Sequence, residues 1–405
     1  MKKTIIILTI IISINCNAQS IFDIFKNNPA HSTRLSLYFE FDDLYFYENS
    51  KGEKKYLNRK SSGFSFEPKR SFIDRCEINI NNWDFYLNNL NALDDQIEAD
   101  SKSFELCLNS KYKDFNFDIS AQYVKNKMKY DIDEFNGKIP ISYFQSQLNL
   151  KYKNLKMELG SLSGEESDGN YDNNINGFST GLSYNQIYKN MIFSAHSNYT
   201  NFSVNLQKDN SIFCELNGIQ ILQYSCSGRY YLRSHNSISS GIIGIATWQR
   251  ERSFLDAEPF INYYSLFFGS KTFIKKMNFN AVLPYISYEQ QFRYQMINFN
   301  AALNYYHLFT NSDIVYTERK WLIPGIWPDD STKHSLELVP DIDGILRLNF
   351  HADVAYRNFI FGIVANQLLP VDYSKITKPV EPTPDKIKIT EHGGTSITLT
   401  VGYLF

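Results

Sequence analysis

The chain has 405 residues, a formal net charge of -2, and 28 Tyr, 31 Phe and 4 Trp that make up 16% of it. A near-neutral balance, with no Lys/Arg cluster interleaved with aromatics, supplies no field for nucleic acid and excludes that partner. Beyond Ile14 no run of about 18 apolar residues occurs, which excludes transmembrane helices, while the wealth of aromatic and β-branched residues favours strands.

Met1 to Ser20 carries Lys2 and Lys3, an apolar run from Ile5 to Ile14, and Cys16-Asn17-Ala18 before Gln19. This is the pattern of a signal peptide cleaved after Ala18, and the run is too short to span a bilayer. A lipoprotein signal at Cys16 is the alternative, disfavoured because Asn15 stands where such signals place a small residue. The chain therefore divides into a signal peptide at 1-18, a short periplasmic or lumenal segment at 19-33, and a β-structured body at 34-405. The opening strand is expected near Arg34 to Tyr47.

A turn then recurs: Tyr112-Lys113-Asp114-Phe115, Tyr152-Lys153-Asn154-Leu155, Tyr188-Lys189-Asn190-Met191 and Tyr356-Arg357-Asn358-Phe359, with Ile274-Lys275-Lys276-Met277 as a looser copy. Two polar residues make a hairpin loop, Asn tolerates positive φ, and a Tyr beside a cation suits the headgroup level of a membrane. The flanks alternate. Phe115, Phe117, Ile119, Ala121 and Tyr123 share one face, opposite Asn116, Asp118, Ser120 and Gln122. A membrane barrel needs that split, apolar toward lipid and polar toward the lumen.

With these turns at the periplasm, the intervening segments read as longer outer loops: Ser163 to Asn176, Glu318 to Asp343 with its prolines, and Gln367 to Gly394. Gly137, Gly177 and Gly218, each after an Asn, read as turn residues and not as a phosphate cradle. Cys76, Cys107, Cys214 and Cys226 are spaced too widely for a metal knuckle, and across a hairpin at Asn217-Gly218 Cys214 would face Ile221, so no disulfide is expected there.

Two ladders are candidates for contact with a solute. Arg347, Asn349, His351 and Asp353 alternate with Leu346, Leu348, Phe350, Ala352 and Val354; such charge is costly in a dry core and cheap on a wet lumen wall. Asn298, Asn300 and Asn304 share the lumen if the even positions of Ile297 to Leu308 face in. Lining any barrel of this size requires polar residues, so ordinary wetting competes with a binding role.

Ile397, Leu399, Val401, Tyr403 and Phe405 alternate with small or polar residues in a closing strand. Counting with this polarity, and with less distinct turns at His235-Asn236 and Thr310 to Asp313, gives an opening strand, seven hairpins and a closing strand. The expected fold is an all-β, antiparallel, up-and-down transmembrane barrel of about 16 strands, with 14 to 18 allowed because a hairpin around Phe64 to Ile80 could add two.

The terminal strand, through Tyr403 and Phe405, resembles the signal read by the outer-membrane barrel-assembly machinery. Asn28-Pro29-Ala30 ahead of the first strand resembles the corresponding element of the long-chain fatty-acid transporter superfamily, and of related barrels that serve type IX secretion. That resemblance implies a Gram-negative outer-membrane barrel with an N-terminal plug; only Gln19 to Thr33 is available here, shorter than the transporter plug.

An outer-membrane acyl hydrolase would carry His-x-Ser on one strand face, and none occurs; His196 and Ser197 are neighbours and point to opposite faces. Neither Gly-x-Ser-x-Gly nor His-Glu-x-x-His appears, so no enzyme, metal or cofactor is expected. The leading expectation is a porin-like passive channel or transporter for a small or amphipathic solute. The alternative is a non-transporting anchor or docking component of a secretion or surface-assembly machinery.

Overall fold

Alternation of apolar and polar residues decides the architecture, because successive strand side chains point to opposite faces. The computed structural model describes residues 33–48, 54–68, 73–88, 94–112, 114–132, 135–168, 171–208, 211–233, 235–249, 253–256, 269–294, 296–321, 330–340, 343–371, 386–389 and 393–405. The segments are β1 (Arg34–Glu48), β2 (Lys54–Glu67), β3 (Ile73–Asn88), β4 (Asp94–Tyr112), β5 (Phe115–Ile132), β6 (Phe135–Tyr152), β7 (Leu155–Asp168), β8 (Tyr171–Tyr188), β9 (Met191–Lys208) and β10 (Ser211–Arg233). They continue as β11 (Asn236–Gln249), β12 (Ser253–Asp256), β13 (Gly269–Tyr294), β14 (Ile297–His307), β15 (Phe309–Trp321), β16 (Asp330–Pro340), β17 (Gly344–Tyr356), β18 (Phe359–Val371), β19 (Lys386–Ile389) and β20 (Gly393–Leu404).

Several of these segments are halves of one stave. β14 and β15 hold one register on β13, Tyr285 facing Tyr306 and Val282 facing Phe309, interrupted only at Leu308. β16 and β17 run along the same stave's other side, and β11 and β12 both lie between β10 and β13. β19 stands apart, paired in parallel with the end of β16. The result is a closed antiparallel barrel of sixteen staves.

Closure comes from β1 on β20, where Arg34 faces Leu404 and Tyr45 faces Gly393. A sheet that meets itself leaves no edge of unpaired N–H and C=O groups, the condition for crossing hydrocarbon. The outer face is greasy: Leu37, Phe39, Phe41, Ile78, Ile80, Ile119, Leu159, Leu182, Ile242, Leu348, Phe361 and Leu399 are all exposed. In water that surface would be penalised at about 25 cal/mol per Å² of apolar area, so lipid is its stable neighbour. No helix among the described residues is long and apolar enough to cross a membrane.

The strand number agrees with the sequence reading, but two turns do not. Ile274-Lys275-Lys276-Met277 lies inside the unbroken β13, where pairing with β15 slips between Ile274 and Lys276 in a bulge. Thr310 to Asp313 lies inside β15. Both sit high on their staves, beyond the greasy band, where a strand has no need of apolar alternation and mimics a turn. Their places are taken by the connections from β2 to β3 and from β13, ending at Tyr294, to β14, beginning at Ile297, neither of which carries the recurring turn sequence.

The Asn-Gly pairs are also strand, not turn. Gly137 is in β6, Gly177 in β8, and Asn217-Gly218 lies within β10. There Leu216 faces Val204 and Ile219 faces Phe202, so two residues oppose Ser203; Gly218 takes φ 57° and donates its N–H to Ser203 Oγ at 3.0 Å. This is a bulge built on a left-handed glycine. The expected outer loop from Ser163 to Asn176 is likewise a continued hairpin, Glu165 facing Asn174 and Asp168 facing Tyr171. Much of Glu318 to Asp343 falls in β15 and β16, and the ends and a short middle piece of Gln367 to Gly394 fall in β18, β19 and β20; the signal peptide, the segment 19–32 and most of the rest of those loops lie outside the described residues.

Candidate functional site

The inner wall of the barrel is the candidate site. Its polarity is set by the same alternation: along β1 the face opposite Leu37, Phe39 and Phe41 carries Arg34, Ser36, Tyr38, Glu40 and Asp42. Backbone pairing carries this face from stave to stave, since directly paired residues point the same way.

On β14 and β17 that face assembles the residues singled out from the sequence. Asn298 faces Asp353, Asn300 faces His351, and Asn304 faces Arg347, while Asn349 sits opposite Ala302. Asn298 Nδ2 donates to Asp353 Oδ2 at 2.7 Å, and Asn300 Nδ2 donates to Glu289 Oε1 on β13 at 2.6 Å. Arg347 donates to Asn366 Oδ1 on β18 at 3.1 Å, and Asn304 Nδ2 reaches the Arg347 carbonyl at 3.4 Å. His351 Nε2 stands 3.6 Å from Asp353 Oδ1, too far for a hydrogen bond.

Three atoms of this patch, Asn300 Oδ1, Asn349 Oδ1 and His351 Nε2, are buried without a hydrogen-bond partner. Each costs about 1–3 kcal/mol if left so. An arc rich in amide oxygens with one imidazole suits a donor-bearing neutral or cationic group better than an anion.

The arc from β1 to β4 was missed at the sequence level. Arg34 donates to both carboxylate oxygens of Glu67 at 2.6 Å, Arg59 bridges Glu40 and Asp42, and Arg75 lies between Glu77 at 3.2 Å and Glu105 at 3.5 Å, with Cys107 Sγ 3.6 Å away. Tyr38 donates to Asn79 Oδ1 at 2.9 Å. Partners 17 to 41 residues apart are invisible to a local reading, although Arg34, Glu40 and Asp42 at period two carried a usable signal. Arg34 and Glu77 are only 3% exposed, so this arc is covered by the chain's own atoms.

A third arc, on β8 to β10, is apolar: Ile175, Phe202, Val204, Leu206, Leu216, Ile219 and Ile221 are all at most 2% exposed. It occupies lumen-facing positions, in one row with Gly177 and Thr200. Val124 and Tyr143, paired across β5 and β6, extend the buried apolar lining. These stretches of the lining are therefore closed to solvent.

No family model and no curated protein matches the chain. Among solved structures it is similar to the translocator domain of the autotransporter NalP from Neisseria meningitidis, at 9% identity and TM-score 0.41 with 100% of both chains covered. It is also similar to a bacterial polysaccharide outer membrane secretin, at 8% identity and TM-score 0.41, covering 93% of this chain and 100% of that one. A deletion mutant of the TodX monoaromatic hydrocarbon channel matches at 8% identity and TM-score 0.43, covering 94% and 91%. These are likenesses in outline and assign no role.

Of the remaining expectations, His196 and Ser197 do face apart. The structure instead brings His196 Nδ1 within 2.8 Å of Ser183 Oγ on β8. Cys76 pairs beside Leu106 and Cys107 beside Arg75, on opposite faces of the sheet. Among the described residues no group of three or more acidic, His or Cys side chains could hold a metal ion. Tyr403 and Phe405 stack edge-on at 4.8 Å, and Phe405 N donates to Thr33 O at 2.9 Å.

Proposed function

We propose that the protein is an exported outer-membrane barrel that passes a small or amphipathic solute along the inner wall of β13, β14, β17 and β18. The observation that carries this is the joining of Asn298, Asn300, Asn304, Arg347, Asn349, His351 and Asp353 into one lumenal patch that retains three unpartnered polar atoms. The two-residue turns belong at the periplasm. Their cations lie over tyrosine rings, Lys153 over Tyr152 at 5.1 Å, Lys189 over Tyr188 at 5.3 Å and Arg357 over Tyr356 at 5.4 Å, which suits a membrane interface. Tyr403 and Phe405 serve as the strand recognised by the assembly machinery, and their lipid-facing stack supports that role.

Planar-bilayer recording tests the proposal. The reconstituted barrel conducts, and His351→Ala with Asn300→Ala changes solute flux without changing heat-modifiable gel migration. Absence of both conductance and release of entrapped solute would refute it. A specific observation favours the second reading, a non-transporting anchor for secretion or surface-assembly machinery: the packed arcs on β1 to β4 and β8 to β10 narrow the bore. That reading predicts a stable complex from gently solubilised membranes and a silent bilayer.

A further inference from the structure

Phe104, Tyr123 and Phe144 form one backbone-paired row across the outer faces of β4, β5 and β6, each close to half exposed. One step farther from the turns, Lys102 stands directly opposite Lys125. The step after that sets Lys127 opposite Asp100. Like charges face to face across a strand pair are destabilising. Lys125 is 62% exposed in its side chain, and its nearest carboxylate is Glu166 at 4.0 Å. Lys102 and Lys127 are exposed and form no close ion pair among the described residues, Lys127 although it faces Asp100, whereas Lys129 higher up is paired with Glu98 at 2.8 Å.

The height of the pair matters. From Phe115 at the turn to Tyr123 is eight residues, which at about 3.3 Å per residue and a tilt of about 40° rises about 20 Å. Lys125 lies about 5 Å higher, at the edge of an apolar band about 25 Å tall. Acyl chains against the Phe104–Tyr123–Phe144 row would place their headgroups at Lys102 and Lys125.

We infer that Lys102 and Lys125, with Lys127 above them, form a docking site for the phosphate of an anionic lipid in the leaflet away from the turns. The phosphate neutralises the opposed ammonium groups while the aromatic row holds the chains. This rests on the membrane reading of the barrel. The test is native mass spectrometry and vesicle binding of the folded full chain, with phosphatidylcholine alone or mixed with a bis-phosphorylated glycolipid. Wild type retains the glycolipid preferentially, and Lys102→Gln with Lys125→Gln weakens retention about thirtyfold, from about 1 kcal/mol per cation at a membrane surface. Phosphatidylcholine retention does not change, and millimolar inorganic phosphate does not displace the glycolipid. Equal retention of both lipids, an unaffected double variant, or displacement by free phosphate overturns the inference. Failure to insert into any vesicle overturns the membrane reading itself; insertion without anionic preference overturns only the site.

Discussion

Replacing Arg59 by methionine measures how dry the bore is. Its guanidinium lies between Glu40 and Asp42, with Arg59 Nε 2.6 Å from Asp42 Oδ2, and the three side chains are 14%, 10% and 8% exposed. Truncating one partner of a buried ion cluster strands the others, at a cost of about 3–5 kcal/mol. The same change on a wetted wall costs about 0–1 kcal/mol. The assay is urea unfolding of the barrel folded into phosphatidylcholine vesicles, read by tryptophan fluorescence, at unchanged denaturant dependence. Arg59→Met should lose about 3–5 kcal/mol, and adding Glu40→Gln and Asp42→Asn should recover most of it, because neutral amides remove the stranded charges. A loss under about 1 kcal/mol for Arg59→Met alone would refute the packed lumen, and with it the narrowing that favours an anchor.

Gly63→Ala should cost about 1–3 kcal/mol in the same assay, since the new Cβ would collide with Tyr38 Cε1 and Asn79 Oδ1; Tyr38→Phe should cost about 1 kcal/mol through the lost hydrogen bond. Lys189 holds φ 52°, so Lys189→Gly should leave stability within about 0.5 kcal/mol and Lys189→Val should lower it by about 1–2 kcal/mol, checked by unfolding midpoints. A variant keeping only Cys226, which sits on the lipid face between Ala195 and Ile242, should react in vesicles with a bilayer-soluble maleimide and resist a charged one; the reverse order of rates would invert the assignment of faces.

Legibility followed depth in the membrane. Where staves cross hydrocarbon, the solvent imposes alternation, and Phe115 to Tyr123 or Leu346 to Tyr356 can be read residue by residue. The lumenal patch on β14 and β17 was legible for the same reason, because fixing one face of each strand fixed which residues could meet. Above the greasy band the rule lapses. Lys275-Lys276 and Asn217-Gly218 look like turns there, and only pairing with distant strands reveals bulges. The ion network of Arg34, Arg59 and Arg75 spans four staves, and apart from Arg75 with Glu77 its partners are ones that no local pattern links. The three turns at Lys153, Lys189 and Arg357 were read in the right places, but the positive φ falls on the cation and not on the Asn that follows, and each cation lies over its tyrosine.

The staves are cut level at one rim and ragged at the other. β7 has 14 residues, β10 has 23 and β13 has 26. Hydrocarbon consumes about ten of them, so β7 ends about 10 Å past the bilayer while β13 climbs about 40 Å past it. Among the described residues the wall therefore projects farther past the bilayer on the flank of β10 and β13 than at β7. With the two-residue turns at the periplasm, as proposed, that tall flank is the part of the wall that an antibody meets first, and epitope mapping on intact cells should cluster there.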